Sequence, residues 1–239
     1  MNAPLQIKDI ARIGGFTTSE VGRLLGRNPT EIGSWLRGSR PLIAPDYEPI
    51  NGRLILSFPA LVEARAISYF LGEGVSRAKL REIMHELRQR IGNRHPLAAD
   101  KKLVTDGFRP FEQVGETLIN LANDVYAEPT LMTPALHGHV VFDQGTPLYL
   151  QPEPLDLPLV RIDPRHAFGK PVVVDKVRAV TTAALAATAE HEGLEQAAEW
   201  YGVTAAAAIQ AAEYERRLAA CSSSDSMRGY PTALQKRLG

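Results

Sequence analysis

A tight break between two short helical patterns is the feature that most constrains the fold of this chain. Thr17 and Glu20 stand at the spacing of a capping box, which predicts that a first helix begins beside them. Gly26 ends the apolar stripe of that helix. Pro29 then excludes a continuous helix, because proline lacks a backbone donor and clashes with the preceding turn. The pattern therefore predicts a helical hairpin.

The second helix of this pair is short and has one apolar face. Thr30 is its predicted N-cap, and Ile32, Trp35 and Leu36 place apolar side chains on one side. Gly38 is expected to end the helix, which leaves the polar side chains of the same stretch on the opposite, exposed side. A helical hairpin inside an ordinary core would carry the same signals, and this structural interpretation stays open.

After the helix pair, the sequence predicts a loop, a short strand and two longer helices. Residues 39–56 are rich in proline and glycine and end in the apolar run 54–56, which is the pattern of a wing. Ser57 is a predicted cap for a helix that ends at Gly72, and residues 77–91 carry apolar side chains at helical spacing. The predicted fold class is mainly α with a small β component.

The spacing Thr-x-Ser-Glu-Val-x-x-Leu-Leu-Gly-(five)-Ile-x-x-Trp over residues 17–35 resembles the N-terminal helix-turn-helix of the MerR family. The resemblance implies a winged helix-turn-helix whose second helix enters the major groove of DNA. It also implies DNA contacts from polar side chains of this region, namely Arg23, Arg27, Asn28, Thr30, Ser34, Arg37, Arg40 and Arg53. Glu31 is an exception, because DNA repels a carboxylate that does not accept a hydrogen bond from a cytosine amine.

The charge distribution separates the two halves of the chain. Residues 1–115 hold 17 Lys and Arg against 12 Asp and Glu, whereas residues 116–239 hold 10 against 15, and the whole chain is neutral. A basic first half favours a polyanionic partner and an acidic second half favours a basic one. An ordinary solvated surface would also show excesses of this size.

The remainder of the chain predicts short strands followed by helices. Helix starts are expected at Thr181 or Thr182, at Leu194 and at Thr204. Residues 111–121 predict a further helix, and short strands are expected at 103–104, 139–142, 148–150 and 172–174. Residues 151–158 hold three prolines and are interpreted as a linker. The predicted divisions are a winged helix-turn-helix with a helix pair at 1–95, a short-stranded middle region at 96–158, a helical domain at 159–221 and a flexible tail at 222–239.

Residues 161–215 look like a small helical domain found in many bacterial antitoxins that are encoded beside PIN-like toxins. The segments that carry this likeness are 161–164, 168–173, 195–203 and 208–215, although residues 175–181 lack a glycine and a proline that the family usually has. With its N-terminal unit, the chain is similar to VapB-type antitoxins of a long, two-domain kind. The resemblance implies a homodimer that represses its own operon on operator DNA and neutralises a PIN-like ribonuclease toxin by direct binding.

Catalytic, cofactor and metal sites are not predicted. The six histidines are scattered, and the single cysteine, Cys221, has no evident activating base. No stretch of eighteen apolar residues occurs, and a cytoplasmic protein is expected. Two other functions stay open: a stand-alone MerR-like regulator that senses a small ligand, and a structural adaptor without specific DNA binding.

Overall fold

The computed structural model describes residues 13–72, 74–98 and 139–223. These residues form a mixed α/β fold of α-helices with two small antiparallel sheets. The predicted predominance of helix is confirmed, and the share of strand is larger than expected. The strand predicted at 103–104 and the helix predicted at 111–121 lie outside the described residues, as does the tail after residue 223.

The N-terminal elements follow the predicted order, apart from a first strand of two residues that the sequence does not predict. They are β1 (Phe16–Thr17), α1 (Thr18–Leu25), α2 (Pro29–Trp35), β2 (Ile55–Leu56), α3 (Phe58–Gly72) and α4 (Arg77–Ile91), with a short 3₁₀ turn at Pro96–Ala98. The capping box is present at the start of α1: the Thr17 backbone N–H donates to the Glu20 carboxylate at 2.7 Å, and the Glu20 N–H donates to Thr17 Oγ1 at 3.2 Å.

The N-cap of α2 differs from the prediction. Asn28 caps the helix instead of Thr30, since Asn28 Oδ1 accepts from the Thr30 backbone N–H at 2.8 Å. Pro29 takes the first helical position, where its missing N–H costs nothing and its fixed φ suits the helix. The proline that ends the first helical pattern therefore also starts the second helix.

The C-terminal half is a five-stranded sheet covered by three helices. The strands β3 (Val140–Asp143), β4 (Thr146–Leu150), β5 (Val160–Ile162), β6 (Pro171–Asp175) and β7 (Arg178–Thr181) pair antiparallel in chain order. They are followed by α5 (Thr182–Glu192), α6 (Leu194–Tyr201) and α7 (Ala205–Ser223). Neither β5 nor β7 is predicted by the sequence, and α7 continues past residue 218, where the predicted helix ends.

The predicted linker at 151–158 lies between two neighbouring strands of this sheet, β4 and β5. Leu157 in this segment is 4% exposed, and Glu153 pairs with Arg217 of α7. The segment is anchored to the fold through Leu157 and Glu153, whereas Leu155 in the same segment is exposed. The predicted boundary at residue 158, between the middle region and the C-terminal domain, therefore falls inside the sheet. The other predicted domain boundaries stay predictions.

A cluster of buried charges holds the N-terminal elements together. His95 Nε2 lies 2.7 Å from Asp46 Oδ2, and His95 Nδ1 lies 3.0 Å from Glu63 Oε2 of α3. Arg88 of α4 reaches the same Glu63 oxygen at 3.2 Å, and Ser57 donates to Asp46. Asp46 and Ser57 stand at the two ends of the segment that contains β2, so this hydrogen bond closes the base of that segment.

The charges of this cluster shift the pKa of its members. Burial alone would lower the pKa of His95, but the carboxylates of Glu63 and Asp46 raise it to about 9. Burial alone would raise the pKa of Asp46, but its hydrogen bond to His95 and the charge of that imidazolium bring it below the usual value. His95 is therefore protonated in the folded chain at neutral pH.

The raised pKa of His95 predicts that stability declines in mildly alkaline solution. Protonated His95 stabilises the folded chain. This stabilisation is fully present below pH 6.5, the ordinary pKa of histidine, and it is lost as the pH rises through about 9, the pKa of His95 in the folded chain. We expect the free energy of unfolding, measured by urea denaturation, to fall by about 3 kcal/mol over this range. His95→Gln should remove this decline, whereas the exposed His191→Gln should keep it. A flat profile in the unmodified chain would contradict the prediction.

Candidate nucleic-acid interface

An open groove of about 580 Å³ lies between α1, α2 and the hairpin that precedes β2. The start of α1, the exposed side of α2 and the hairpin each contribute to its lining, through Thr17, Thr18, Ser19, Pro29, Thr30, Gly33, Arg37, Gly52, Arg53 and Leu54. Three of the predicted DNA-binding residues are among them. The groove thus brings together side chains from three segments of the predicted winged helix-turn-helix.

The close approach of α1 to the turn before α2 depends on Gly22. A Cβ added to Gly22 would lie 2.6 Å from the carbonyl oxygen of Arg27 and 3.2 Å from the nitrogen of Pro29. The Arg27 backbone N–H also donates to the Gly22 carbonyl at 2.8 Å. Any side chain at this position would push the two helices apart. Glycine at this place therefore sets the spacing between α1 and α2.

The hairpin beside α2 is a tight two-residue turn. Ile50 and Arg53 exchange two backbone hydrogen bonds of 2.9 and 3.0 Å. Between them, Asn51 and Gly52 have φ of 51° and 76°, the left-handed conformation that an Asn-Gly pair adopts readily in such turns. Because β2 then pairs with β1 beside the start of α1, the exposed Arg53 is held at a defined place along the groove.

Three exposed arginines of this region lie after α2 or in the hairpin, namely Arg37, Arg40 and Arg53. Within residues 13–72, 74–98 and 139–223, none of their guanidinium groups has a side-chain partner. Arg37 and Arg53 line the groove, and Arg40 lies in the exposed segment that follows α2. Guanidinium groups without internal partners are available to bind phosphates or the edges of bases.

The other predicted residues are engaged to different degrees. Asn28 and Thr30 are exposed at the start of α2, although Asn28 Oδ1 is occupied by the helix cap. Ser34 is half-buried, and its hydroxyl donates to the Glu31 carbonyl at 2.6 Å. Arg23 keeps half of its side chain exposed and lies 3.9 Å from Glu215 of α7, which links α1 to the C-terminal helices.

Arg27 is a predicted DNA-binding residue whose side chain instead binds another part of the protein. Its Nε donates to Ser68 Oγ at 2.9 Å and its Nη2 to the Ser68 carbonyl at 2.8 Å, so the guanidinium joins the α1–α2 turn to α3. Glu31 lies 2.7 Å from Arg77 of α4 and 3.8 Å from Arg27. The Glu31 carboxylate is thus neutralised by arginines of the protein itself and does not repel DNA.

The opposite roles of Arg27 and Arg37 predict different effects of their removal on stability. Arg27→Ala loses two hydrogen bonds in a mostly buried setting, so we expect the free energy of unfolding to fall by about 1–2 kcal/mol. Arg37→Ala changes an exposed side chain and should stay within about 0.5 kcal/mol of the unmodified chain. Urea denaturation of both variants measures the difference. Equal losses would show that Arg27 does not hold the turn.

In the described part of the chain, no group of three or more His, Cys, Asp or Glu side chains is placed to hold a metal ion. His139 directs Nδ1 to the carbonyls of Gln151 and Pro152, each at 3.0 Å, while His137 lies outside the described residues. Among the described helices, none combines the length and apolar character needed to cross a membrane.

Comparison with solved structures finds a protein of the same fold. The crystal structure of Rv2018 from Mycobacterium tuberculosis matches with a TM-score of 0.62 and 20% sequence identity. The match covers 82% of this chain and 96% of that one. Neither a protein-family model nor a curated protein matches the sequence. At this level of identity, the likeness shows that the two chains share a fold.

Proposed function

We propose that this chain is a cytoplasmic regulator that binds operator DNA through a winged helix-turn-helix at residues 17–56. The observation that carries the proposal is the set of exposed arginines around the groove, Arg37, Arg40 and Arg53. Arginine donates bidentate hydrogen bonds to guanine edges and to phosphates, and it stays charged at every relevant pH. Arg27 and Arg88, by contrast, donate hydrogen bonds to groups within the fold.

The orientation of α2 supports a role as the helix that enters the major groove. Thr30 and Ser34 are four residues apart, so they occupy one side of α2, and Arg37 lies two residues after the end of the helix. The opposite side is anchored by Ile32 and Trp35, which are completely buried. The polar side is therefore the one that α2 would direct to the edges of bases.

The hairpin and the flanking basic residues supply contacts of a different kind. Arg53 extends from the hairpin in the position of a wing, where it would bind a phosphate or the minor groove. Arg23 and Arg40 are placed to bind phosphates, with Arg23 exchanging its long contact to Glu215 for a DNA partner. Asn28 keeps an exposed amide N–H₂, while Arg27 serves to position the turn. A homodimer would present two such units to a pseudo-palindromic operator.

Substitution of single arginines distinguishes base reading from phosphate binding. With the DNA upstream of the gene as probe, we expect Arg37→Gln to cost about 1–3 kcal/mol of binding free energy and to reduce the preference over scrambled DNA. Arg53→Gln should reduce the affinity for both duplexes by the same factor. It should also lower the slope of log affinity against log salt concentration by about 1. Lys176→Gln, an exposed cation in the turn between β6 and β7, is the control. Unchanged affinity in both arginine variants would contradict the proposed interface.

The second part of the proposal is that the C-terminal helices bind and neutralise a PIN-like ribonuclease toxin. Trp200 of α6 is 63% exposed and Ile209 of α7 is 53% exposed, so both side chains offer apolar surface to a partner. Glu195 and Glu199 are exposed on α6 as well. An exposed tryptophan among carboxylates suits a basic protein surface, because buried aromatic anchors dominate binding energy and complementary charge guides association.

Co-expression with the neighbouring open reading frame tests the antitoxin assignment. We expect a stable complex that survives purification, and we expect Trp200→Ala to reduce the recovered partner at least about tenfold, since an aromatic anchor contributes about 2 kcal/mol or more. Leu155→Ala removes a side chain that is 95% exposed on the connection between β4 and β5 and serves as the control. Absence of a complex with intact DNA binding would favour a stand-alone regulator that senses a small ligand.

A further inference from the structure

A strained turn lies between β5 and β6. Ala167, Phe168 and Gly169 have successive φ values of 48°, 58° and 87°, so three consecutive residues adopt the left-handed conformation. Only glycine adopts it without steric cost, and two of these residues carry a Cβ. Backbone strain of this kind persists where the surrounding structure imposes it, and it occurs most often at functional sites.

The strained conformation keeps a large aromatic side chain in solvent. Phe168 is 61% exposed, and Lys170 beside it is exposed as well. Burial of Phe168 would be favourable, yet the turn directs it outward. The nearby carboxylate of Asp163 is 2% exposed and accepts hydrogen bonds from Arg165, with Arg165 Nη2 at 2.6 Å. The exposed charge of the turn is therefore positive.

Contacts with the N-terminal segment fix the position of this turn. A Cβ added to Gly169 would collide with the ring of Phe16 in β1, and one added to Gly14 would lie 3.3 Å from Pro164 Cβ. Both glycines allow close contact between segments that are about 150 residues apart in sequence. Phe16 belongs to β1, the strand that leads into α1, so the turn is packed against the N-terminal unit.

We propose that residues 165–170, which are packed against β1, form a second DNA contact outside the groove, in which Phe168 packs against the sugars or base edges of the flanking duplex and Lys170 binds a phosphate. This inference rests on the proposed DNA-binding function. Apolar wedges beside cations are a common way to bind the minor groove and the backbone. The acidic, tryptophan-bearing surface suited to a basic protein belongs to α6, whereas this turn offers a positive charge next to the DNA-binding unit.

A double variant of the full chain tests the second contact. Phe168→Gly with Lys170→Gln removes the aromatic ring and the charge, and glycine suits the left-handed backbone, so the melting temperature should be unchanged or higher. The probe is a duplex of about 40 base pairs, roughly four helical turns, from the DNA upstream of the gene. We expect an affinity loss of about tenfold and a salt slope lowered by about 1.

The matched control carries the same kinds of substitution in another strained turn. Lys176 has φ of 52° and Val177 is 98% exposed, so Val177→Gly with Lys176→Gln removes an exposed apolar side chain and a cation from the β6–β7 hairpin. Its affinity should stay within about twofold of the unmodified chain. Hydroxyl-radical footprinting measures which part of the DNA the protein protects from cleavage. With the Phe168–Lys170 variant, we expect protection to be lost at the flank of the site and retained at its centre.

The outcomes separate this inference from the proposed function. If Arg37→Gln weakens binding while the Phe168–Lys170 variant binds and protects DNA as the unmodified chain does, the second contact is overturned and the groove remains the interface. If the Phe168–Lys170 variant loses protection evenly along the site, the turn does not contact the flank and the inference also fails. If the unmodified chain binds no duplex, both the proposed function and the second contact are overturned.

Discussion

The position of the hairpin beside α2 depends on the charges buried around His95. Asp46 and Ser57 bracket the hairpin segment and are hydrogen-bonded to each other, while His95 joins Asp46 to Glu63 of α3. Removing Asp46, Glu63 or His95 would leave the buried charges of the cluster unbalanced, which is far more costly than the loss of a surface pair. The cluster therefore joins the base of the hairpin, α3 and the end of α4 by hydrogen bonds. These contacts hold the hairpin, and with it Arg53, in position along the groove.

The arginines of the N-terminal half divide into two groups with different physical roles. Arg27 and Arg88 donate to backbone carbonyls and side chains of other elements, which fixes α1, α2, α3 and α4 relative to one another. Arg37 and Arg53 direct their charge into the groove. The first group supplies a rigid support and the second supplies ligands for a polyanion. Such a division is what a binding surface needs, because groups held before binding lose less entropy when the partner arrives.

Local signals in the sequence predict much of the N-terminal unit. The capping box at Thr17 and the break between Gly26 and Pro29 depend on neighbouring residues, so they are visible in sequence and present in the structure. The contact of Arg27 with Ser68 and the cluster around His95 join residues 32 to 49 positions apart, and no local pattern indicates them. For the same reason β5 and β7, which are short and depend on their neighbours in the sheet, are missed. The groove itself follows from pairing β1 with β2, another contact between distant segments.

The most direct test of the central claim is the affinity of the full chain for the DNA upstream of its own gene, measured against a scrambled duplex at several salt concentrations. A winged helix-turn-helix that reads sequence predicts a preference of at least about a thousandfold at physiological salt. It also predicts a steep decline of affinity with salt as arginines release counterions from phosphates. Equal affinity for the two duplexes would contradict sequence reading by α2, and absence of binding to either would contradict the DNA-binding function as a whole.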